Sequence, residues 1–505
     1  MTARVEHVGS RKWQNWHQSV EQRVADLIDL WNATPNQFSI QSYNATTDAM
    51  QGLIQSAMDQ RIALRALGGG WSFSPVAATD GILLNTRPLN YKIAMGQTNL
   101  MPGCVIDPAN LALLQCGNSI AQLNAYLASK GKSLRTTGAS NGQTIAGAVS
   151  TGTHGSALGV GAVPEMVRAI HLVCTPDRHV WLERASQPIV TQALVDHLHA
   201  ELIRDDALFN AALVSFGSFG VIHSLLLEVE NIFWLQGYRS RRPLDASLRL
   251  AIGALDFSGL QLPRPAPAVP SHFNVVANPH DPSAVYVTLM YKHAARPADC
   301  QEPPPGSKFR QGDSALEVLG VITDLVSELT PALAGTVLAQ AQRDVNGICG
   351  THGETFGDTT TRGKAASSAM GIPLTHALQA FDLAMRIARE GGFAGFVALR
   401  YVSPGAGTLA FTRFAPHTCV LEVDGPRTRR TSKVFRDVWK AFVQQGIPHT
   451  FHWGKMSELD NQGVRRAYGD ASVDAWLAAR RALLPTPRLR STFANNFLKA
   501  AGLAD

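Results

Sequence analysis

The chain has 505 residues, of which 45% are hydrophobic and 17% are charged. With a mean hydropathy of −0.02, this composition supports folded cores and excludes both a disordered chain and a polytopic membrane protein. The 45 basic residues outnumber the 39 acidic ones, giving a net charge of +6. Because this excess is spread along the chain without interleaved stacking aromatics, we expect no nucleic-acid partner.

The amino-terminal stretch lacks the apolar segment of a secretory signal, and no apolar run approaches the ~18 residues of a membrane-spanning helix. The six cysteines are scattered, without a CxxC pair or metal-ligand spacing. We therefore expect a cytoplasmic enzyme with reduced cysteines, no metal site and no membrane span.

The first part of the chain alternates predicted secondary structure with glycine-rich loops. Residues 12–60 are predicted to be helical, and residues 61–67 form a short β-rich run that leads into the glycines of 68–74. A second helix is predicted over 119–132, before the glycine- and threonine-rich segment 133–156. The repeated order predicts two related α+β units.

Further strands are predicted after these loops. Residues 166–183 alternate like a β-hairpin, and 215–231 contain a glycine-punctuated turn followed by a strand. Antiparallel strands with helices over one face are predicted for the middle of the chain, where proline-rich segments at 262–270 and 303–305 mark loops or boundaries. Its predicted strands are 272–292, 393–404 and 408–425, and its predicted helices are 314–342 and 373–390.

The glycine-rich loops at 68–74 and 142–155 suit a phosphate-bearing ligand, because glycine lets backbone N–H groups crowd an anion. Tight turns alone would explain either loop by itself. The Rossmann fingerprint fails, since Phe73 stands at the third glycine position after Gly68 and Gly70. Any nucleotide is therefore expected to bind through a different fold.

Four segments in order carry a resemblance to a known family. They are LGGGWSFS (67–74), GQTIAGAVSTGTHGS (142–156), SFGSFGVIHSLLLEV (215–229) and FHWGK (451–455). This order resembles the vanillyl-alcohol oxidase / p-cresol methylhydroxylase-type family of FAD-linked oxidoreductases, nearest its aldonolactone and alditol oxidases.

The resemblance implies an α+β fold with a two-subdomain FAD-binding domain and an inserted α+β cap domain of antiparallel sheet and helices. The FAD-binding domain would span 1–235, the substrate-binding cap 236–445, and a carboxyl-terminal segment, 446–505, would return to the FAD domain.

The resemblance also implies which residues contact FAD. Those on the pyrophosphate would be Gly68, Gly69, Gly70, Trp71 and Ser72. Those along the ribityl chain and flavin would be Gly142, Thr144, Gly147, Ser150, Thr151, Thr153 and His154. Gly220 and Val221 would lie near the adenine end.

Position 71 departs from the family pattern. Many members carry a histidine there that is bound covalently to the flavin, whereas this chain has Trp71, and no cysteine lies within 133–156. The resemblance therefore implies non-covalent FAD. Trp71 either packs on the flavin edge or is a core aromatic residue.

Lys455 matches the family cation that stabilises the negative charge of reduced flavin, and His452 lies beside it in the motif. Arg400, in the strand FVALRYV, matches an arginine that faces substrate in the alditol oxidases. A glutamate two residues earlier is replaced by Ala398, which weakens the case for a polyol or lactone substrate.

The polar loop 346–363 offers candidates for the general base, namely His352, Glu354 and Asp358. A solvated loop is the alternative. A metal site is disfavoured there because the spacing of the ligands is loose.

Together these features predict an FAD-dependent oxidase or dehydrogenase that takes a hydride from a C–OH or C–N carbon of a small molecule. The electrons would pass to O₂ or another acceptor. One alternative is a tailoring flavoenzyme of secondary metabolism acting on a non-sugar aromatic or amine substrate, and another is a non-catalytic binder on the same fold. The sequence does not indicate the substrate or the oligomeric state.

Acid precipitation tests the flavin linkage. We expect all of the yellow colour to move to the supernatant, because the Trp71 indole offers no nitrogen able to attack the flavin. Absorbance of the supernatant and the resolubilised pellet measures the partition. Flavin that stays with the polypeptide would contradict the prediction.

Overall fold

The structure is a computed structural model, and it describes residues 1–9, 11–264, 268–302, 331–357 and 363–504. Asp358 and the first part of the predicted helix 314–342 lie outside these ranges.

The strands are β1 (Arg4–Val8), β2 (Lys12–Gln14), β3 (Glu21–Arg23), β4 (Asp26–Trp31), β5 (Leu64–Leu67), β6 (Ile82–Asn85), β7 (Lys92–Ala94), β8 (Leu111–Gln115), β9 (Lys132–Ser133), β10 (Val167–Val173), β11 (His179–Glu183), β12 (Glu201–Arg204), β13 (Val221–Glu228), β14 (Glu230–Asn231), β15 (Trp234–Pro243), β16 (His272–Ala277), β17 (Ala284–His293), β18 (Val345–Thr351), β19 (Ala365–Pro373), β20 (Phe396–Val402), β21 (Thr418–Pro426) and β22 (Thr450–Phe451). The α-helices are α1 (Ile40–Gln60), α2 (Ile120–Ala128), α3 (Ile145–Ser150), α4 (Gln192–His197), α5 (Asp206–Leu213), α6 (Ala246–Ala254), α7 (Pro331–Ala341), α8 (His352–Thr355), α9 (Ala377–Glu390), α10 (Arg429–Gln444), α11 (Asn461–Tyr468), α12 (Asp470–Leu483), α13 (Pro487–Thr492) and α14 (Asn496–Ala500). Short 3₁₀ helices occupy Gln97–Asn99, Pro108–Asn110, Val163–Met166 and Leu374–His376.

Three large sheets organise the fold. The first has the order β1-β4-β6-β5, the second β12-β11-β10-β13-β8-β7, and the third β18-β15-β17-β16-β20-β21-β19-β22. Of the two largest hydrophobic clusters of the described residues, one belongs mostly to the first two sheets and the other to the third sheet. One is drawn mostly from 3–229 and 453–503, and the other from 248–451. The predicted α+β class is confirmed.

The predicted helix over 12–60 is wrong in its first half. Residues 12–31 form β2, β3 and β4, and α1 begins after the N-cap Ser39. The reason is a period of two in β4, where Ile28 and Leu30 are buried and the residues between them are less so. The strands predicted at 61–67, 166–183 and 215–231 are confirmed by β5, by the β10–β11 hairpin and by β13.

The third sheet confirms most of the strands predicted for the middle of the chain. The predicted strands at 272–292 form the antiparallel pair β16 and β17, and residues 393–404 contain β20. Of the predicted strand region 408–425, the strand β21 occupies only the second half. Helices α9 and α10 pack on one face, where every second residue of β20, such as Val397 and Leu399, is buried in the same core.

The cysteines depart from the expectation that all six are reduced. Cys300 and Cys349 form a disulfide with a Cα–Cα distance of 5.5 Å. The prediction of reduced cysteines is therefore wrong at this pair, which joins a loop to β18, and the compartment remains a prediction. Among the helices that the structure describes, none combines the length and apolarity needed to cross a membrane.

A group of buried histidines lies between α1 and the second sheet. The Tyr43 hydroxyl is 2.7 Å from His171 Nδ1 and 2.5 Å from Ser224 Oγ. Nε2 of His223 is 2.6 Å from Thr46 Oγ1. Burial lowers the pKa of His223 to about 3, and burial lowers the pKa of His171 well below its usual value, so both rings are held neutral.

We expect this burial to make the fold sensitive to acid. Below about pH 6.5 the unfolded chain protonates His223 while the folded chain does not until about pH 3, so stability falls as pH falls through that window. The substitution His223→Gln should reduce the slope of the free energy of unfolding against pH by about 1.4 kcal/mol per pH unit. Urea unfolding at several pH values measures this slope. The exposed His197→Gln is the control, and an equal slope in both variants would contradict the prediction.

Candidate active site

A cleft lies where the two glycine-rich loops face the third sheet. Its lining runs from the first glycine loop to Arg400, Glu422 and Asp424 of the third sheet. Most of the predicted cofactor-binding residues line it. They are Gly68, Gly69, Gly70, Trp71, Ser72, Thr144, Gly147, Ser150, Thr151, Thr153, His154, Gly220 and Lys455.

The two glycine-rich loops pack directly on each other. A Cβ on Gly68 would stand 2.0 Å from Thr144 Oγ1, and a Cβ on Gly69 would stand 2.3 Å from the Gly142 carbonyl oxygen. Gly70 has a φ of +68°, which L side chains rarely adopt. Only glycine therefore allows this close approach, which leaves a wall of backbone along the cleft.

The hairpin of β2 and β3 covers the first glycine loop. The Asn15 side-chain amide donates to the Ser72 carbonyl at 2.8 Å. Trp16 stacks on Trp71, with ring centroids 5.1 Å apart. This contribution was not predicted, because residues 12–31 were expected to be helical.

His17, at the end of that hairpin, reaches into the cleft. Its ring stacks on Phe73 at 4.1 Å, and its Nδ1 has no hydrogen-bond partner. Burial, with a smaller effect of the charge on Lys455, lowers the pKa of His17 to about 3. The ring is therefore neutral at physiological pH. Nothing local in the sequence distinguished this histidine, because its position depends on tertiary packing.

The FHWGK segment is held beside the first glycine loop. Phe73 N–H donates to the Gly454 carbonyl at 2.7 Å, and Ser74 Oγ donates to the Trp453 carbonyl at 2.6 Å. Lys455 Nζ, in turn, donates to Ser367 Oγ of β19 at 2.7 Å. These bonds place Lys455 between the loops and the third sheet.

His154 and His452 are neighbours, with ring centroids 5.5 Å apart. Burial lowers the pKa of His154 to about 4 and lowers the pKa of His452 well below its usual value. Both rings line the cleft as neutral hydrogen-bonding groups.

Glu422 of β21 is the centre of a buried group of charges. Its carboxylate is 3.0 Å from Arg400 Nε, 3.9 Å from Lys455 Nζ and 3.8 Å from His154 Nε2. Burial opposes ionisation of Glu422, but the charges of Arg400 and Lys455 hold its pKa below the usual value. The carboxylate is therefore charged and compensated.

Glu422 was not predicted as a site residue from the sequence, and the register of the sheet explains why. Ala398 of β20 lies directly opposite Glu422 of β21. A carboxylate therefore lies beside Arg400 although position 398 holds alanine. A pattern search along one strand cannot detect a partner that is contributed across the sheet.

Asp424, two residues further along β21, was also missed. It lies on the same face as Glu422, is buried, and lines the cleft. Burial raises the pKa of Asp424 to about 7, with Glu422 acting in the same direction.

Four predicted site residues do not line the cleft. Gly142 lies beneath Trp71, where a Cβ would stand 2.1 Å from the indole ring. Val221 belongs to β13 and pairs with Val173 of β10. His352 is buried against Phe233 and Phe356.

The fourth of these residues, Glu354, accepts hydrogen bonds from the Thr351 backbone N–H at 2.7 Å and from its hydroxyl at 2.8 Å. It therefore caps α8. Since neither His352 nor Glu354 lines the cleft, we do not propose either residue as the general base. In the ranges that the structure describes, no group of three His, Cys, Asp or Glu residues could hold a metal ion.

Comparison with known proteins agrees with this geometry. The FAD binding domain family matches residues 43–182. An L-gulono-1,4-lactone dehydrogenase of Mycobacterium tuberculosis is 26% identical over 196 residues, which is 39% of this chain and 39% of that protein. A long-chain alcohol oxidase of an uncultured marine euryarchaeote is 29% identical over 184 residues, 36% of this chain and 33% of that protein. The chain thus aligns with about two fifths or less of these relatives.

Solved structures match over nearly the whole chain. A cholesterol oxidase of Brevibacterium sterolicum has a TM-score of 0.69 at 15% identity, covering 99% of this chain and 97% of that one. A solvent-stable cholesterol oxidase has a TM-score of 0.71 at 15% identity, covering 99% and 98%. At this identity the likeness is one of fold.

The fold and the matched domain define an FAD-binding protein of the vanillyl-alcohol oxidase type. These matches confirm the predicted resemblance to the vanillyl-alcohol oxidase / p-cresol methylhydroxylase-type FAD-linked oxidoreductases over the FAD-binding part of the chain. The predicted cofactor, FAD, is confirmed as well.

Neutralising Glu422 should destabilise the protein strongly. Glu422→Gln leaves the Arg400 and Lys455 charges without their shared counter-charge, at an expected cost of about 3–5 kcal/mol. Urea unfolding measures the loss. The matched control Glu201→Gln breaks the exposed ion pair with Arg178 and should cost at most about 1 kcal/mol. Equal losses in the two variants would contradict a central role for Glu422.

Proposed function

We propose that this protein is an FAD-dependent oxidoreductase that takes a hydride from a C–OH carbon of a small molecule. The observation that carries the proposal is the charged group in the lining of the cleft, in which the buried Arg400 and Glu422 and the partly buried Lys455 are paired. Buried charges are costly, and their position beside the glycine-lined cleft favours a catalytic role over a purely structural one.

The cleft fits FAD. Its walls are backbone at Gly68, Gly69 and Gly70, where added side chains would clash or be strained, and such walls suit a diphosphate. Bound FAD supplies the oxidant, a two-electron acceptor. We assign the pyrophosphate to these glycines and the flavin to the side near His154 and Lys455.

Each charged residue then has a distinct role. Lys455 provides positive charge next to the flavin, which favours the reduced, anionic form. Arg400 binds the substrate oxygen, because a guanidinium donates several hydrogen bonds in a fixed geometry. Glu422 orients both cations through its ion pairs. His154 and His452 stay neutral and add no further positive charge.

A hydroxyl-bearing substrate is supported over an aromatic or amine one. Glu422 supports this choice, because it lies opposite Ala398 in the sheet and forms a carboxylate–arginine pair with Arg400. The curated relatives named above act on lactones and long-chain alcohols by their names. The electron acceptor is O₂ or another small oxidant.

We further propose that residues 236–445 form the substrate cap, and that 1–235 with 446–505 form the FAD domain. The third sheet, which carries Arg400 and Glu422, supports this division. FAD is held without a covalent bond. Trp71 occupies the family attachment position, and the one described cleft cysteine, Cys116, is buried with its pKa raised to about 12, so its thiol is unreactive.

Anaerobic mixing tests the proposal. The purified protein should be yellow. At least one of three probes, L-gulono-1,4-lactone, a long-chain primary alcohol or cholesterol, should abolish its visible flavin absorbance. A colourless protein that does not take up added FAD would instead support a non-catalytic binder.

Replacing Lys455→Met should slow flavin reduction by about 100- to 1,000-fold, because the charge that stabilises the reduced form is lost. FAD content, measured after acid release, should remain close to that of the native protein. The exposed Lys499→Met is the matched control and should reduce at the native rate. An unchanged rate in Lys455→Met would contradict the assigned role.

A further inference from the structure

The carboxyl group of Asp424 is buried in the cleft but is not fully used by the protein. Asp424 is only 5% exposed and lines the cleft, and its Oδ1 has no hydrogen-bond partner. A buried polar atom without a partner is costly, which is a reason to look for a ligand that completes it.

The position of Asp424 in the sheet explains which of its atoms is available. Asp424 lies opposite Ser367 of β19 on one side and Phe396 of β20 on the other. Ser367 hydrogen-bonds the Asp424 side chain and also accepts a hydrogen bond from Lys455 Nζ at 2.7 Å. Phe396 offers no polar group, so the remaining oxygen has no protein donor on that side.

The charges that face Asp424 come from three directions. Glu422 is on the same strand, Arg400 is on β20, and Lys455 follows β22. Burial raises the pKa of Asp424 to about 7, and Glu422 adds to this rise, while Lys455 and Arg400 oppose it. His17 lines the same cleft but remains neutral because burial keeps its pKa low.

We propose that Asp424 is the proton acceptor for the substrate hydroxyl in the oxidation described above, on which this inference rests. The substrate O–H bond breaks, and its proton moves to Oδ1 of Asp424 as the C=O bond forms. The hydride leaves the same carbon with two electrons, which bound FAD would accept and pass to O₂ or another acceptor. The proton later passes from Asp424 to solvent.

The other titratable groups of the cleft suit this role less well. Glu422 is held as a charged group by Arg400 and Lys455, so its affinity for a proton is low. Burial lowers the pKa of His154 to about 4 and that of His17 to about 3, which leaves both as weak bases. Asp424 has a pKa near neutrality, which is where a general base is most effective.

The test compares Asp424→Asn with the native holoprotein in two measurements. In the first, no substrate is present, and the visible flavin spectrum is recorded as a function of pH. The native protein should show a transition near pH 7 as Asp424 ionises beside the flavin, and Asp424→Asn should lack it. Asp382→Asn, an exposed carboxylate paired with Arg249, is the matched control and should keep the transition.

The second measurement is the anaerobic rate of flavin reduction by whichever of the three probes reduces the native protein fastest. The native rate should fall as pH drops below about 7, since Asp424 must be ionised to accept a proton. Asp424→Asn should be slower by about 100-fold or more and should lose this dependence. Reduction by dithionite and FAD content should be unchanged, which separates loss of the base from loss of the cofactor.

The outcomes are distinct. A variant rate within about 3-fold of the native rate, or a native transition that survives in Asp424→Asn, overturns the role of Asp424 and leaves the proposed function intact. A native holoprotein whose flavin none of the probes reduces overturns the proposed oxidation, and this inference with it. A variant that fails to retain FAD is replaced by Asp424→Glu, which should keep the pH dependence and a partial rate.

Discussion

The carboxylate of Glu422 carries a negative charge where little water reaches it, and the site is built around the compensation of that charge. Arg400 approaches it from the neighbouring strand, and Lys455 approaches it from the segment after β22. These partners come from parts of the chain that are distant in sequence. Removing either cation would reduce the compensation of this buried charge, and the pair with Lys455 links the third sheet to the FHWGK segment beside the first glycine loop.

Two carboxyl groups on one face of β21 differ sharply in their surroundings. Glu422 has two cations within 4 Å, and its pKa is held below the usual value. Asp424 has one hydrogen-bonding serine, and burial raises its pKa. The pair thus separates two tasks, one group fixing charges and the other exchanging a proton. This separation arises from the environment, since the two side chains are chemically alike.

The sequence predicts the cofactor side of the cleft better than the substrate side. Gly68, Gly69 and Gly70 were identifiable because their function depends on local backbone geometry, which a motif records. Glu422 and Asp424 were not, because their roles depend on cross-strand register. The amino-terminal hairpin was not predicted for a third reason. Its strands are short and mostly exposed, so the alternation of buried and exposed residues that indicates a strand is weak there.

The first glycine loop is closed by residues that are far away in the chain. Ser74 bonds the Trp453 carbonyl, a separation of 379 residues, and the buried guanidinium of Arg65 bonds the Phe493 carbonyl, a separation of 428 residues. During synthesis the amino-terminal part leaves the ribosome first, when neither partner yet exists. The cofactor cradle can therefore be completed only after nearly all of this chain has been translated. A chain whose synthesis stops before Trp453 therefore lacks a finished cofactor cradle.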